Sequence, residues 1–317
     1  MSDSSPTTST SVTAHAYDAK EFASSIQHQP QTYEAGALII CPTPLGNLGD
    51  MTFRAREALA CADVVCAEDT RVTGKLLTAL GIKKRLERLD EALLSQRAEA
   101  IAERVCAGEV IAYCSDAGMP GVSDPGMRLV QAVRAAGGVV EVLPGPTAAA
   151  TAYVASGTHN TNFYFGGFFP RKDTQRQALL QSLAPLDAAL IFYESPKRVV
   201  SSLAALAKAF PHREAAVCRE LTKLHEEIVR MSLPELAQEF AARGESNQIK
   251  GEIVLVVDGP SSAEEHENET LAQQDARQVA AGLRAQGVRK KEIAKHLAEQ
   301  FGISRNDAYA IALEDEG

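Results

Sequence analysis

The alternation of short apolar runs with helical patterns is the feature that most constrains the fold of this chain. Four runs rich in β-branched residues have strand length, at 37–41, 63–67, 110–114 and 139–143. Longer segments with helical spacing separate them, at 53–62, 93–107 and 127–136. This rhythm predicts a mostly parallel sheet with helices on both of its faces.

The pattern changes after residue 160, where strands follow one another with fewer helices between them. Apolar runs of strand length lie at 163–169, 188–193, 215–220, 227–231 and 252–257. They predict a second α/β domain whose sheet is mixed rather than parallel.

The end of the chain carries only helical patterns. One helix is predicted to end at Gly287, and a second spans 292–301 and stops at Gly302. Ser304 caps a third, with Asp307 completing a capping box. Two interpretations stay open: a small bundle packed on the rest of the protein, or a helix-turn-helix that contacts nucleic acid.

These changes of texture divide the chain into four predicted parts. Residues 1–36, rich in Ser, Thr and Gln, are expected to form a disordered N-terminal tail. An N-terminal α/β domain at 37–158 and a C-terminal α/β domain at 159–260 follow. An acidic linker and the helix-turn-helix-like end domain occupy 261–317.

Composition excludes several classes of protein. The net charge of −9 excludes a polycation that coats nucleic acid by charge alone. No apolar run approaches the roughly 18 residues of a membrane helix, and the first residues do not resemble a secretory signal. The six cysteines are scattered without a CxxC pair, which is typical of reduced thiols in a cytoplasmic protein and predicts no metal site.

Three unusual loops follow predicted strands, at 41–50, 115–126 and 143–152. Ligands of open parallel sheets bind outside the carboxyl ends of the strands, which is where these loops begin. The second loop is the most informative. It has twelve residues with two Asp, three Gly and two Pro, whereas ordinary connections of this kind have about 2–6 residues. Its glycines let the backbone approach a ligand closely, so we expect a binding site there.

Together, these loops and three further motifs resemble the tetrapyrrole methylase family, in particular its members that methylate ribosomal RNA. The resemblance extends from about residue 37 to 258. The motifs are PTPLGNLGDMTFRA from Pro42, AEDTR from Ala67, SDAGMPGVSDPG from Ser115, LPGPTAAATA from Leu143, FGGF from Phe165 and YESPKR from Tyr193.

The resemblance implies a fold, a cofactor and a reaction. The fold has two α/β domains of the tetrapyrrole methylase type, which is the class III S-adenosylmethionine methyltransferase type, plus a small helical C-terminal domain. The implied activity is the S-adenosylmethionine-dependent 2′-O-methylation of a cytidine in the decoding centre of 16S rRNA. A homodimer that acts on rRNA, within the 30S subunit, is also implied.

The resemblance also assigns residues to the cofactor. Relatives that methylate tetrapyrroles carry Gly-Gly-Asp-Pro where this chain has Asp116-Ala-Gly-Met, and this departure argues against a tetrapyrrole substrate. By that correspondence, the expected cofactor contacts from the second loop are Asp116, Ala117, Gly118 and Val122. Neighbouring loops are expected to add Leu45, Thr147, Ala148, Glu194 and Leu221.

Residues for catalysis and RNA binding are less sharply indicated. Glu68, Asp69 and Arg71 follow the second strand and could act on the substrate, or they could form a helix cap and an ion pair. Basic residues that could contact phosphates, or form a solvated surface, are Lys75, Lys197, Arg198, Arg289, Lys290 and Lys291.

Two other functions compete with this reading. A small-molecule methylase of the tetrapyrrole type would use the same fold on another substrate. A ligand-sensing regulator would use the α/β part as a sensor and the terminal helices to bind DNA. The twelve-residue loop and YESPKR disfavour the first, and the acidic linker disfavours the second.

Overall fold

The structure is a computed structural model, and it describes residues 36–260, 275–301 and 303–314. The predicted disordered tail and most of the acidic linker lie outside the described residues. So does Gly302, which was predicted to end a helix.

The first sheet has five strands: β1 (Ala37–Ile40), β2 (Val64–Ala67), β3 (Leu86–Arg88), β4 (Val110–Cys114) and β5 (Val140–Val142). Their order is β3-β2-β4-β1-β5, and every neighbouring pair is parallel. The predicted parallel sheet is confirmed. The sequence analysis missed β3, because it has only three residues and lacks the apolar run of a buried strand.

Four helices enclose this sheet: α1 (Phe53–Cys61), α2 (Thr70–Ala79), α3 (Glu91–Cys106) and α4 (Met127–Ala135). Side chains alternate between the two faces of a strand. Accordingly, Leu38 and Ile40 pack with α3 and α4, whereas Ala37 and Ile39 pack with α1 and α2. Both faces are therefore buried, as the near-continuous apolar runs predicted.

The second sheet also has five strands: β6 (Phe163–Phe168), β7 (Ala189–Glu194), β8 (Glu214–Arg219), β9 (Glu227–Ser232) and β10 (Ile253–Val257). Their order is β6-β7-β10-β8-β9. The β6–β7 pair is parallel and the other pairs are antiparallel, so the sheet is mixed, as predicted.

Helices cover both faces of this sheet as well. One face packs against α6 (Asp173–Leu183), α7 (Val199–Ala209) and α8 (Leu233–Glu245). The other face packs against α5 (Ala148–Ala155), through Ala149 and Ala152. Helix α5 precedes residue 158 in the chain, yet it packs on the second sheet. The division of the chain at 158 stays a prediction.

The C-terminal region forms a separate apolar cluster. Residues 275–285 are helical and are followed by α10 (Lys290–Phe301) and α11 (Arg305–Leu313), so we number the first of the three α9. Ile293, Leu297 and Ile311 are buried together among them. The Ser304 hydroxyl accepts the Asp307 N–H at 3.1 Å, which confirms the predicted cap. Within the described part of the chain, no helix has the length and apolar character needed to cross a membrane.

Candidate active site

The loops after β1 and β4 are joined at the carboxyl edge of the first sheet. The Thr43 N–H donates to the Gly118 carbonyl at 2.9 Å, and the Gly118 N–H donates to the Thr43 carbonyl at 3.0 Å. Gly118 has a φ of +80°, and a Cβ there would lie 3.2 Å from the Leu45 side chain. Glycine therefore allows both the backbone conformation and the close approach of the two loops.

A cavity of about 220 Å³ lies between these loops and the second sheet, and we call it the cleft cavity. It is enclosed by the loops after β1, β4 and β5 and by the ends of β6, β7 and β10. The residues assigned to the cofactor from sequence that line it are Leu45, Asp116, Ala117, Gly118, Val122, Thr147, Ala148 and Glu194.

The cleft cavity is also lined by six residues that the sequence analysis did not assign to the cofactor: Met119, Asp124, Phe168, Tyr193, Glu252 and Ile253. Two of them belong to the twelve-residue loop, and two lie within the FGGF and YESPKR motifs. These four could therefore have been identified from the motifs that contain them. Nothing in the local sequence marks the other two, which lie at the start of β10.

Leu221 is not among the residues that line the cleft cavity. It is buried in the apolar cluster formed by α5 and the second sheet, where it packs near Ala149 and Ala152. The residues on either side of it, Glu220 and Thr222, have φ angles of 51° and 65°. This strained turn points the Leu221 side chain into the core, and its assignment to the cofactor stays a prediction.

The charge of the cleft cavity is negative. Four acidic residues line it, Asp116, Asp124, Glu194 and Glu252, although the Glu194 side chain itself has no exposed surface. No lysine or arginine lines it among the described residues. Burial, together with the charges of Glu68, Asp116 and Glu252, raises the pKa of Asp124 to about 6. Burial also raises the pKa of Asp116. A site of this kind suits a ligand with positive charge.

The raised pKa of Asp124 predicts a pH-dependent gain in stability for Asp124→Asn. The Asp124 carboxyl has a pKa of about 6 in the folded protein and an ordinary value of about 3.9 when unfolded. Above both values the carboxyl is ionised in both states, and because the charge is less favourable in the folded protein, it lowers the stability. Asp124→Asn should therefore raise the melting temperature at pH 8 and change it little at pH 4. Thermal melts across this range measure the effect.

Asp173→Asn provides the matched control, because the Asp173 side chain is 85% exposed. If the melting temperature of Asp124→Asn equals that of the unmodified protein at every pH, the prediction is wrong.

Aromatic rings form one wall of the cleft cavity. The Tyr193 ring contacts the rings of Phe165 and Phe168 edge-on, with centroids 4.8 and 5.7 Å apart. Burial raises the pKa of the Tyr193 hydroxyl, and its interactions with the Ala149 backbone and the Thr147 side chain partly offset this rise. Tyr193, on β7 of the second sheet, therefore lies beside the loop after β5 of the first.

Glu194 is held by buried hydrogen bonds at the end of β7. Its side chain has no exposed surface, and it accepts the Ser202 hydroxyl at 2.5 Å and the Ser195 N–H at 2.8 Å. Arg198 pairs with it at 3.2 Å and also donates to the Phe169 carbonyl. Arg198, which was predicted to bind RNA, therefore forms an ion pair and a hydrogen bond within the protein, whereas Lys197 is exposed.

Asp69 and Arg71 form the helix cap and ion pair that were one of the two readings of this segment. The Asp69 carboxylate accepts the Arg71 N–H at 2.8 Å and pairs with its guanidinium at 2.5 Å. Hydrogen bonds from Arg71 hold the pKa of Asp69 far below its usual range. The Asp69 N–H donates to Asp116 at 3.1 Å, which connects this cap to the cleft cavity.

Glu68 lies next to this cap but does not line the cleft cavity. Its pKa is raised by burial and by the neighbouring charge of Asp116. Its charge thus interacts with that of Asp116, although Glu68 is not among the residues that line the cleft cavity.

Comparison with known proteins places this chain in a family. The sequence model described as Tetrapyrrole (Corrin/Porphyrin) Methylases matches residues 37–237. Proteins named Ribosomal RNA small subunit methyltransferase I are similar to the chain over most of its length. The one from Escherichia coli O157:H7 is 40% identical over 292 residues, covering 92% of this chain and 99% of that protein. The one from Halalkalibacterium halodurans is 39% identical over 285 residues, covering 90% and 97%.

Solved structures agree in fold. The methyltransferase CobJ has a TM-score of 0.55 at 21% identity, over 71% of this chain and 95% of its own. Diphthine synthase has a TM-score of 0.55 at 16% identity, over 73% and 93%. The chain belongs to the tetrapyrrole methylase family and is a methyltransferase.

Proposed function

We propose that this methyltransferase transfers a methyl group from S-adenosylmethionine to the 2′-oxygen of a cytidine in the decoding centre of 16S rRNA. The acceptor is proposed to be rRNA within the 30S subunit, and the enzyme to act as a cytoplasmic homodimer. The observation that supports this most is the acidic cleft cavity, in a chain about 40% identical to a protein named as a small-subunit rRNA methyltransferase.

The donor set of the cleft cavity fits S-adenosylmethionine, which carries a sulfonium and an ammonium group. Carboxylates such as Asp116 and Asp124 favour these two positive charges, and the absence of lysine and arginine from the described lining disfavours a phosphate. Leu45, Val122 and Ile253 offer apolar contacts for an adenine ring.

When bound, the cofactor supplies a methyl group on a positively charged sulfur. Transfer would form an O–CH₃ bond as the S–CH₃ bond breaks, and the hydroxyl proton would pass to a carboxylate or to water. Alignment of the reacting atoms can contribute about 7–11 kcal/mol, whereas a general base contributes about 10²–10⁴-fold. The main task of the protein is therefore to hold both reactants in place.

Glu68, Asp69 and Arg71 are proposed to position Asp116 rather than to take the proton. Asp69 is poorly suited as a base, because Arg71 donates hydrogen bonds to the Asp69 carboxylate and keeps that carboxylate ionised. Its N–H instead fixes the Asp116 carboxylate. Glu68 maintains the negative potential beside Asp116.

RNA binding by an acidic chain requires local basic surfaces. Charges are screened over about 8–10 Å at physiological ionic strength, so a cluster of lysines and arginines can outweigh the net charge of −9. Lys75 and Lys197 are exposed, and residues 289–291 are exposed at the start of α10. We propose these as contacts to rRNA phosphates. A homodimer would double the number of such surfaces.

A methyl-transfer assay with labelled cofactor tests the proposed function. The acceptors are 30S subunits, free 16S rRNA, a tetrapyrrole and duplex DNA. Label in 30S subunits, located at a cytidine 2′-oxygen, is the expected result. Label in the tetrapyrrole alone would support a small-molecule methylase instead, and binding to DNA without any transfer would support a regulator.

Replacement of Arg289, Lys290 and Lys291 by alanine should weaken RNA binding without affecting the cofactor. Each lost phosphate contact flattens the slope of log affinity against log salt by about 0.7–0.9. Titration of 30S subunits over a salt series measures this slope. Lys295→Ala is the control, because Lys295 pairs with Glu299 on the same helix. Unchanged affinity across the series would mean that the terminal helices are purely structural.

A further inference from the structure

A second cavity lies beside the cleft cavity, with a volume of about 310 Å³. We call it the acceptor cavity, and it is formed by the loop after β1, by α2 and by the first residues after β4. Asp116 is the one residue that lines both cavities among those described. The two spaces therefore meet at a carboxylate, at the edge of the sheet where ligands of such folds bind.

One wall of the acceptor cavity is apolar. Val72, Leu76 and Ala79 line it from α2, and their spacing of four and three residues places them on one helix face. Leu48 lines it from the loop after β1. Val72 and Leu48 are 40% and 45% exposed, although both are large apolar residues. A flat apolar group such as a nucleobase would cover this surface.

Ser115, one of the residues that line the acceptor cavity, carries a buried hydroxyl without a hydrogen-bond partner among the described residues. The residue is 1% exposed. A buried polar atom left unpaired is unfavourable, because it has lost its hydrogen bonds to water without replacing them. A ligand with a hydroxyl or carbonyl group at this position would satisfy it.

The rim of the acceptor cavity offers a positive charge. Lys75 lines it from α2, is exposed, and forms no ion pair among the described residues. Arg71 lies one turn earlier on the same helix. An anionic group attached to the ligand would meet Lys75 at the mouth, while the acidic Asp116 lies on the wall shared with the cleft cavity.

We propose that the acceptor cavity holds the target nucleotide after it has been flipped out of its stack. Its base lies on Val72, Leu76 and Ala79, its phosphate lies near Lys75, and its ribose lies against Ser115 and Asp116. Enzymes that modify a nucleotide commonly extrude it into such a pocket, and proteins read RNA mainly through unstacked bases. This assignment deepens the proposed function and rests on it.

Ala79→Phe tests the assignment by filling the cavity from an exposed position of α2. Its matched control is Thr78→Phe, on the neighbouring exposed residue, which does not line the cavity. Ala79→Phe is expected to lower kcat/KM with 30S subunits by about 100-fold, because the acceptor oxygen is displaced. The unmodified enzyme should bind cytidine 5′-monophosphate in NMR titrations, and Ala79→Phe should abolish this binding. Thr78→Phe should match the unmodified enzyme, and both should bind S-adenosylmethionine normally.

Ser115→Ala provides a second variant that does not add bulk. Because the hydroxyl has no protein partner, its removal should leave the melting temperature unchanged or slightly higher. Affinity for cytidine 5′-monophosphate should fall by about 2- to 10-fold, the value of one hydrogen bond. A lower melting temperature with unchanged nucleotide affinity would contradict the assignment.

The outcomes separate this inference from the proposed function. If Ala79→Phe methylates 30S subunits like Thr78→Phe, the acceptor cavity is not the nucleotide site, and the proposed function stands. If Ala79→Phe weakens the binding of S-adenosylmethionine as much as the binding of the nucleotide, the cavity belongs to the cofactor and the assignment is wrong. If the unmodified enzyme labels no rRNA but Ala79→Phe still abolishes nucleotide binding, the cavity assignment stands and the proposed function fails.

Discussion

Asp116→Ala is expected to lower the affinity for S-adenosylmethionine by about 10- to 100-fold and methyl transfer by at least as much. The carboxylate lines both cavities and accepts the Asp69 N–H. The substitution removes a negative charge from a site for a cation and leaves that N–H without its acceptor. Hydrogen bonds to charged groups contribute about 1.5–3 kcal/mol, which corresponds to this range. Calorimetric titration and labelled methyl transfer measure the two effects.

The fold of Asp116→Ala should survive, because the residue lies on a loop and not in either core. Asp173→Ala, at an exposed side chain, is the control and should behave like the unmodified enzyme. Asp116→Asn separates charge from shape, since the amide oxygen can still accept the Asp69 N–H. A folded Asp116→Ala protein with unchanged cofactor affinity would remove Asp116 from the proposed site.

Glu194→Ala is expected to reduce the free energy of unfolding by about 3–5 kcal/mol, the typical cost of breaking a buried ion pair. The Glu194 side chain has no exposed surface. Its removal leaves Arg198 without its carboxylate and Ser202 without its acceptor. Denaturant unfolding of the ligand-free protein measures this loss.

Glu214→Ala is the matched control on another strand of the same sheet. The Glu214 side chain is 53% exposed, and its partner Arg230 is also held by Asp258. Exposed pairs contribute about 0–1 kcal/mol, so the control should change stability little. Equal losses from the two substitutions would mean that the Glu194 cluster adds no more than a surface pair.

The sequence was most informative where local patterns and tertiary position coincide. The apolar runs at 37–41 and 110–114 predicted strands of a mostly parallel sheet, because burial on both faces requires continuous apolar residues. β3 was missed, since an edge strand of three half-exposed residues carries no such pattern. The Ser304 cap was predicted correctly because it depends on residues only three positions apart.

The residues of the candidate site also differ in whether a local sequence pattern marks them. The twelve-residue loop could be identified from its length and its glycines alone, and several of its residues line the cleft cavity. Glu252 and Ile253 could not be found, because a strand start with an exposed carboxylate has no distinctive local pattern. Arg198 was predicted to contact RNA, and this stays a prediction; the sequence did not indicate that the carbonyl of Phe169, 29 positions away, accepts its hydrogen bond.

By itself, the sequence determined the two α/β units, their sheet types and the loops that line the cleft cavity. These follow from spacing, glycine content and apolar periodicity, which act over a few neighbouring residues. Only the tertiary structure decided that Asp116 joins two cavities, that Leu221 lies in the core and that Arg198 is committed to Glu194. Those outcomes depend on contacts between segments far apart in the chain, where packing and burial set the environment of each charge.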